Sequence, residues 1–415
     1  VTAGTGGAGH GGQGRQQGAA GGRTLRAAAL AAALAATGLG APGARAEVAV
    51  TSGLRVTAEQ RFDDGATALE AGGSIGGLLS RLSATGRVGL KGHTFGVGLG
   101  YTPSLLVSNT SGSWSLDHMA QLDLSKRLSE RVRFEAAAQG WRVTDPTSLP
   151  RLGMAVFNEP ALYGRADARA LADVARRWRL VGAYRFEAAR LVRPNRPSDP
   201  GFAHMPSLAL EHALTPRTML GLEYRYQGFL FASDVAQAHG PALRLGYLLS
   251  RSVGLQVTAG PTFYAAAGAR PASGWMPRAA VDLHGEGPVV DWGLSVGHDL
   301  VGASGFDAAR WATFGAGMLG WQLTRELRLN AAANYFRNGL PPGQGALPWT
   351  GAGPAQGVNQ GYTVGAGLEL RLAPELQLIG SVTRIDQLGA PLGTAAAATT
   401  ARNLASVRAV WTVWQ

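Results

Sequence analysis

From Leu54 onward, apolar side chains return at every second position, with small or polar residues between them. In 113–125, Trp114, Leu116, Ala120, Leu122 and Leu124 share one side, and Ser115, Asp117, Gln121, Asp123 and Ser125 the other. His118 and Met119 break that run mildly. The pattern recurs with Val132, Phe134, Ala136 and Ala138 against Arg133, Glu135 and Gln139, and with Leu220, Leu222, Tyr224 and Tyr226 against Glu223, Arg225 and Gln227. Tyr362, Val364, Ala366, Leu368 and Leu370 likewise oppose Thr363, Gly365, Gly367, Glu369 and Arg371. Period two is the signature of a strand with two unlike faces. Many runs reach 12–15 residues. A soluble strand averages about 5–6, whereas a tilted membrane strand needs roughly 9–11 to cross the apolar layer.

Short connections set the register. They fall near Lys91–His93, Arg127–Glu130, Arg176–Trp178, Thr215–Thr218, Ser250–Ser252, Glu286–Pro288, Thr324–Glu326 and Ala373–Glu375. Several share a form, an apolar residue followed by Ser or Thr with an arginine close behind: LSERV, LTPRT, LSRSV and LTREL. Longer Gly-, Pro- and Asn-rich segments lie between them, at 63–75, 108–112, 145–165, 193–202, 233–240, 266–274, 302–306, 338–357 and 386–400. Eight turns and nine loops predict about 18 strands (16–18), with both ends of the sheet on the short-turn side. Two stretches leave alternatives open. ADARALADVARRW within 166–192 also fits a short amphipathic helix, and in 307–323 the pairs Phe314/Met318 and Leu319/Trp321 compete for the apolar face.

The expected fold is therefore all-β, a single closed antiparallel transmembrane β-barrel with short periplasmic turns and long outer loops. In lipid every backbone N–H and C=O needs an internal partner, so an open sheet edge is not tolerated. Trp292, Tyr224, Tyr226, Tyr247, Tyr335 and Tyr362 fall on the apolar face, as interfacial belts require.

The N-terminal segment reads differently. Residues 1–22, mostly Gly, Ala and Gln, read as a disordered extension. Residues 23–46 read as a signal peptide. Arg23 and Arg26 precede the apolar run 27–39, and Ala44-Arg45-Ala46 offers small residues for cleavage before Glu47. Domain 47–415 is then the barrel, in a bacterial outer membrane. The formal charge of +11 falls to +7 as four arginines leave with the prefix. No long apolar run follows, which argues against helical membrane spans.

Charge on the other face supplies the candidate site. The expected pore lining comprises Arg55, Arg87, Arg133, Glu135, Arg185, Glu187, Glu223, Arg225, Arg244, Arg328, Glu369 and Arg371. Buried charges need water or partners, and a barrel of this size is wide enough for a water-filled channel. Inner-face glycines such as Gly246, Gly254, Gly293, Gly297 and Gly365 would widen the lumen or admit an inserted loop, for which 145–165 and 338–357 are candidates. The basic balance favours anionic solutes. Arginines spread along strands instead of clustering argue against nucleic acid.

Enzyme signals are weak. Gly72-Gly73-Ser74-Ile75-Gly76 matches a nucleophile elbow only in letters, because that motif needs a strand, a sharp turn and a helix. The chain has no Cys and no H-E-x-x-H. We expect no enzyme, cofactor or metal.

The opening strand Leu54–Phe62 followed by Asp63-Asp64, the repeated Leu-Ser/Thr turns and pairs such as Trp141–Asp145 resemble the Gly- and Arg-rich outer-membrane barrels of myxobacteria, including porin-like barrels that end polysaccharide export pathways. The resemblance covers almost all of 47–415. It implies an 18-stranded porin-type barrel, passing an exported polysaccharide with periplasmic export proteins as partners. Other expected partners are outer-membrane lipid and the barrel assembly machinery, although Gln415 after Trp414 departs from the usual terminal aromatic. The rival reading is a plugged scaffold or adhesion barrel that binds through its outer loops. The barrel expectation has a direct check: unheated protein should run anomalously on SDS gels, and solubility without detergent after signal removal would overturn it.

Overall fold

The computed structural model describes residues 48–68, 74–144, 160–192, 200–231, 234–268, 271–302, 309–339, 359–389 and 398–414. The signal-peptide expectation lies outside them. Eighteen strands run in chain order: β1 (Ala49–Ala68), β2 (Ser74–Lys91), β3 (Phe95–Ser108), β4 (Trp114–Arg127), β5 (Val132–Val143), β6 (Ala161–Ala175), β7 (Trp178–Leu191), β8 (Gly201–Thr215), β9 (Thr218–Leu230), β10 (Asp234–Leu248), β11 (Val253–Gly268), β12 (Ala272–Glu286), β13 (Val290–Val301), β14 (Arg310–Gln322), β15 (Leu327–Gly339), β16 (Asn359–Arg371), β17 (Leu376–Gly389) and β18 (Ala398–Trp414). Each pairs antiparallel with its neighbours in sequence, and β1 pairs with β18 from Leu54↔Trp414 to Asp63↔Leu404. The sheet is a closed barrel.

All eight short turns fall where the sequence places them, and their chemistry explains the repeated Ser or Thr. Ser129 Oγ accepts the N–H groups of Arg131 (3.2 Å) and Val132 (3.1 Å). Thr324 Oγ1 accepts those of Glu326 (3.2 Å) and Leu327 (3.1 Å). Thr215 and Ser250 each accept one N–H two residues on. A hydroxyl that satisfies turn N–H groups fixes where one strand ends and the next begins. Across three of the turns the main chain closes the same way, with Leu128 N–H to Val132 O, Leu323 N–H to Leu327 O and Leu372 N–H to Leu376 O, each 2.9 Å.

Both open stretches resolve as strand. Residues 161–175 form β6 without a helical turn, so 161–165 is wall and not loop. In β14, Leu319 pairs with outward Trp292, while Met318 and Phe314 lie opposite Gly293 and Gly297 on the inner face. The loop expected at 233–240 is corrected. Asp234–Gly240 belongs to β10 and pairs with both β9 and β11. Its small Ala236 and Ala238 look loop-like in sequence because a large neighbour, described below, fills the space over them.

Large apolar side chains on the outer face remain exposed: Leu82, Leu222, Leu243, Leu294, Val364, Val382 and Val407 are all at least 49% accessible. No water-soluble sheet leaves such a continuous apolar face uncovered. A closed barrel with this exterior is an outer-membrane architecture, and the chain is a protein of the bacterial outer membrane. Placing Arg at Leu243 on this face should lower unfolding free energy by roughly 2–4 kcal/mol. Placing Arg at inner-face Ala332 should cost far less. Urea titration of the protein in bilayers checks both; equal losses would contradict the assignment of faces.

Candidate functional site

Alternation and register put all twelve expected lining residues on the face opposite the exposed apolar side chains. They do not form one site. Arg185 Nε lies 2.7 Å from Asp167 Oδ1, which also binds Arg165. Arg328 meets Asp291 at 2.5 Å and stands opposite Glu369. Glu135 stands opposite Arg169. Arg55, Arg87 and Arg371 sit apart on the remaining wall and are exposed. Glu187 is buried.

Three of the twelve, Glu223, Arg225 and Arg244, come together. Arg244 Nη1 lies 3.0 Å from Glu211 Oε1, and its Nε lies 3.6 Å from Glu223 Oε2. The other Glu223 oxygen accepts from Arg278. Arg225 Nη2 reaches both Asp299 oxygens at 2.5 Å. Alternating charges spread over β8, β9, β10, β12 and β13 pair with one another, as guanidinium and carboxylate groups this far from water require.

The Arg225–Asp299 contact spans from β9 to β13, too far along a regular wall for a direct ion pair. It exists because the wall folds inward. The β12–β13 ladder begins at Glu286↔Asp291 and stops at Ala279↔His298. Beyond it, β13 and β14 remain paired with each other up to Val301↔Arg310. Leu300 and Trp311, outward by alternation, are 3% and 2% exposed. They pack in one cluster with Phe229, Tyr264, Ala203, Ala236 and Ala238, inner-face residues of β8 to β11. The β13–β14 hairpin therefore tucks inside the neighbouring wall like the overlap of a scroll. The expected constricting loops, 145–165 and 338–357, lie largely outside the described residues. Among the described residues, the element that turns inward is the β13–β14 hairpin, at Asp299–Val301 and Arg310–Ala312.

Packing holds the tuck. Truncating a buried Trp or Leu costs about 2–5 kcal/mol; the Arg225–Asp299 pair is about one-fifth exposed at each end and mainly orients the hairpin. The backbone that β13 withdraws from β12 finds new partners. Gln227 Nε2 donates to Leu300 O at 3.3 Å, and Leu300 N–H donates to Asp299 Oδ1 at 2.7 Å.

The expected inner glycines serve their neighbours more than the lumen. A Cβ at Gly297 would meet the Phe314 ring, at Gly293 the Met318 side chain, and at Gly254 His284. Arg278 and Asp299 were missed as site residues. Simple alternation with Val281 and with Leu294 assigns both to the inner face, but nothing local signals their partners. For the elbow-like motif, Gly72 and Gly73 lie outside the described residues, Ser74 opens β2, and no helix follows it among the described residues. Among the described residues no cluster of three His, Asp or Glu could hold a metal ion.

These features define an 18-stranded outer-membrane barrel with a charged, internally narrowed lumen. Solved structures of similar shape include Pseudomonas aeruginosa OpdL (14% identity, TM-score 0.42, covering 89% of this chain and 99% of that one). P. aeruginosa OpdQ (8%, 0.43, 88% and 98%) and Acinetobacter baumannii OccAB4 (10%, 0.42, 89% and 98%) are others. No protein-family model matches the chain, and no curated protein does. Nothing in these comparisons supports a myxobacterial or polysaccharide-export relationship.

Trp311→Ala should free the hairpin. Amide exchange in Asp299–Val301 and Arg310–Ala312 should accelerate relative to Asp291–Gly297 in the same hairpin. Uniform exchange along the hairpin in the variant would show that packing does not hold the tuck.

Proposed function

We propose that the protein is a passive pore of the bacterial outer membrane for small hydrophilic solutes. One observation carries this reading: charged inner-face side chains, among them Arg55, Arg87, Arg133, Glu135, Arg185 and Arg371, are solvent-exposed within a closed barrel. Charges on the inner wall of a membrane barrel are tolerated where water reaches them. The exposed members of the twelve are the wall such solutes would meet; Glu187 lies buried behind it. Arg225, Arg244 and Glu223 mark the constriction, and beside them a recess of about 550 Å³ is bordered by Asp167, Arg169, Arg185, Ser207, Glu223 and Arg225. The inward hairpin favours small solutes over a threaded polymer, so polysaccharide export forms no part of the proposal. Excess arginine on the chain favours anions. Lipid and the assembly machinery are the partners this reading needs.

Purified protein in a planar bilayer should show a stable open level, with a reversal potential on the anion-selective side in a salt gradient. Arg55→Gln and Arg87→Gln together should move that potential toward neutrality. Absence of conductance would overturn the pore and leave the plugged scaffold.

A further inference from the structure

The outer face of a membrane barrel should be apolar, and most of it is. Near the extracellular end of the wall, however, it carries a repeated polar device. Tyr101 on β3 bonds His118 Nδ1 on β4 at 2.7 Å. Tyr184 on β7 bonds His204 Nδ1 on β8 at 2.6 Å. Tyr224 on β9 bonds His239 Nδ1 on β10 at 3.0 Å. Each histidine stands fourth to sixth from the extracellular end of its strand, so the three pairs share one level. All three histidines are half-exposed on the outer face. Where the Tyr O–H donates to Nδ1, the imidazole carries its proton on Nε2 and keeps one N–H donor for a further partner.

Arginines lie at or above the same level on this face. Arg142 is second from the end of β5 and stands opposite His118. Arg190 is second from the end of β7, and Arg337 third from the end of β15. Arg384, on β17, also faces outward and is exposed. Acidic residues on this face of the described strands are Asp64 and Asp386. Asp64 is engaged by Asn403, and Asp386 by Tyr362 and Arg384. Arg142 gives one N–H to Leu116 O at 2.8 Å, and Arg384 pairs with Asp386. The rim is therefore rich in arginine and histidine, set above an apolar belt.

We propose that this rim binds the phosphate groups of anionic lipid in the outer leaflet, with Arg142 and the Tyr101–His118 pair forming one headgroup seat and Arg190 and Arg337 others. The chemistry is charge complementarity: guanidinium groups and imidazole N–H donors meet phosphate oxygens where the apolar belt ends. The proposal rests on the barrel and its orientation, and not on the lumen being open.

Native mass spectrometry of the detergent-purified protein, titrated with a bisphosphorylated acyl-disaccharide lipid and with its dephosphorylated form, tests it. The wild type should retain the phosphorylated lipid preferentially. Arg142→Gln, Arg190→Gln and Arg337→Gln should each weaken that retention about fivefold, the value of one basic residue at a lipid surface. His118→Phe should weaken it less. Binding of the phosphorylated lipid unchanged in the triple variant, or equal retention of both lipids by the wild type, would overturn the proposal. If the triple variant does not assemble, as judged by its mobility on unheated gels, Arg337→Gln alone decides. Unchanged conductance in these variants separates failure here from failure of the pore.

Discussion

Every part of this structure answers to one constraint: a backbone group in lipid must find its partner within the protein. Pairing strands in sequence satisfies all but the two end strands, and those satisfy each other when β1 meets β18. The seam between them is reinforced where the ladder ends. Arg402 Nε donates to Asp63 Oδ1 at 2.7 Å. Asn403 gives its main-chain and side-chain N–H groups to Asp64, both at 2.6 Å. Asp63 and Arg402 are almost fully buried on the inner side. Residues 339 positions apart thus clasp the first and last strands, and the two consecutive aspartates have a structural reason to follow the first strand.

The inward hairpin is the point where the same constraint is met differently. A sheet that parts between β12 and β13 exposes two edges, each with orphan N–H and C=O groups. On β13 the inner-wall side chains of Gln227 and Asp299 replace the lost ladder, and Trp311 and Leu300 repay the separation through apolar burial. One arrangement narrows the lumen and seals the wall together. The arginine network belongs to it, because Asp299 reaches Arg225 only when β13 has left β12.

What the sequence made legible was local. Strand number, turn positions and the two faces follow from period two and from Ser or Thr at the turns, and both operate within a few residues. His118 shows the limit. It interrupts an apolar run, and only the register of β3 against β4 reveals Tyr101 as its partner. Arg278 and Asp299 show it more strongly. Their faces follow from alternation, but their partners lie 55 and 74 residues away. The first of these pairings depends on how the wall curves, and the second on a fold in it, which no periodicity encodes. The small residues Ala236 and Ala238 misled for the same reason. They are small because Trp311 and Leu300 lie over them.

Proline explains why the wall yields where it does. Pro241, Pro261 and Pro277 lie on successive strands β10, β11 and β12, and Pro261 stands opposite Pro277. Proline has no N–H for a ladder and is normally excluded from central strands. Between His239↔Phe263 and Leu243↔Ala259, β10 and β11 share no ladder pairs. There a Cβ on Gly240 or Gly260 would collide with the carbonyl oxygen of Pro261 or Pro241, so only glycine permits the approach. The β12–β13 ladder ends two residues from Pro277. A row of missing donors thus weakens the lattice across three adjacent strands, two residues to the extracellular side of the last β12–β13 pair, where the fourth strand has already departed. These three prolines sit where the barrel bends, and the residues that fill the bend sit on the strands that receive it.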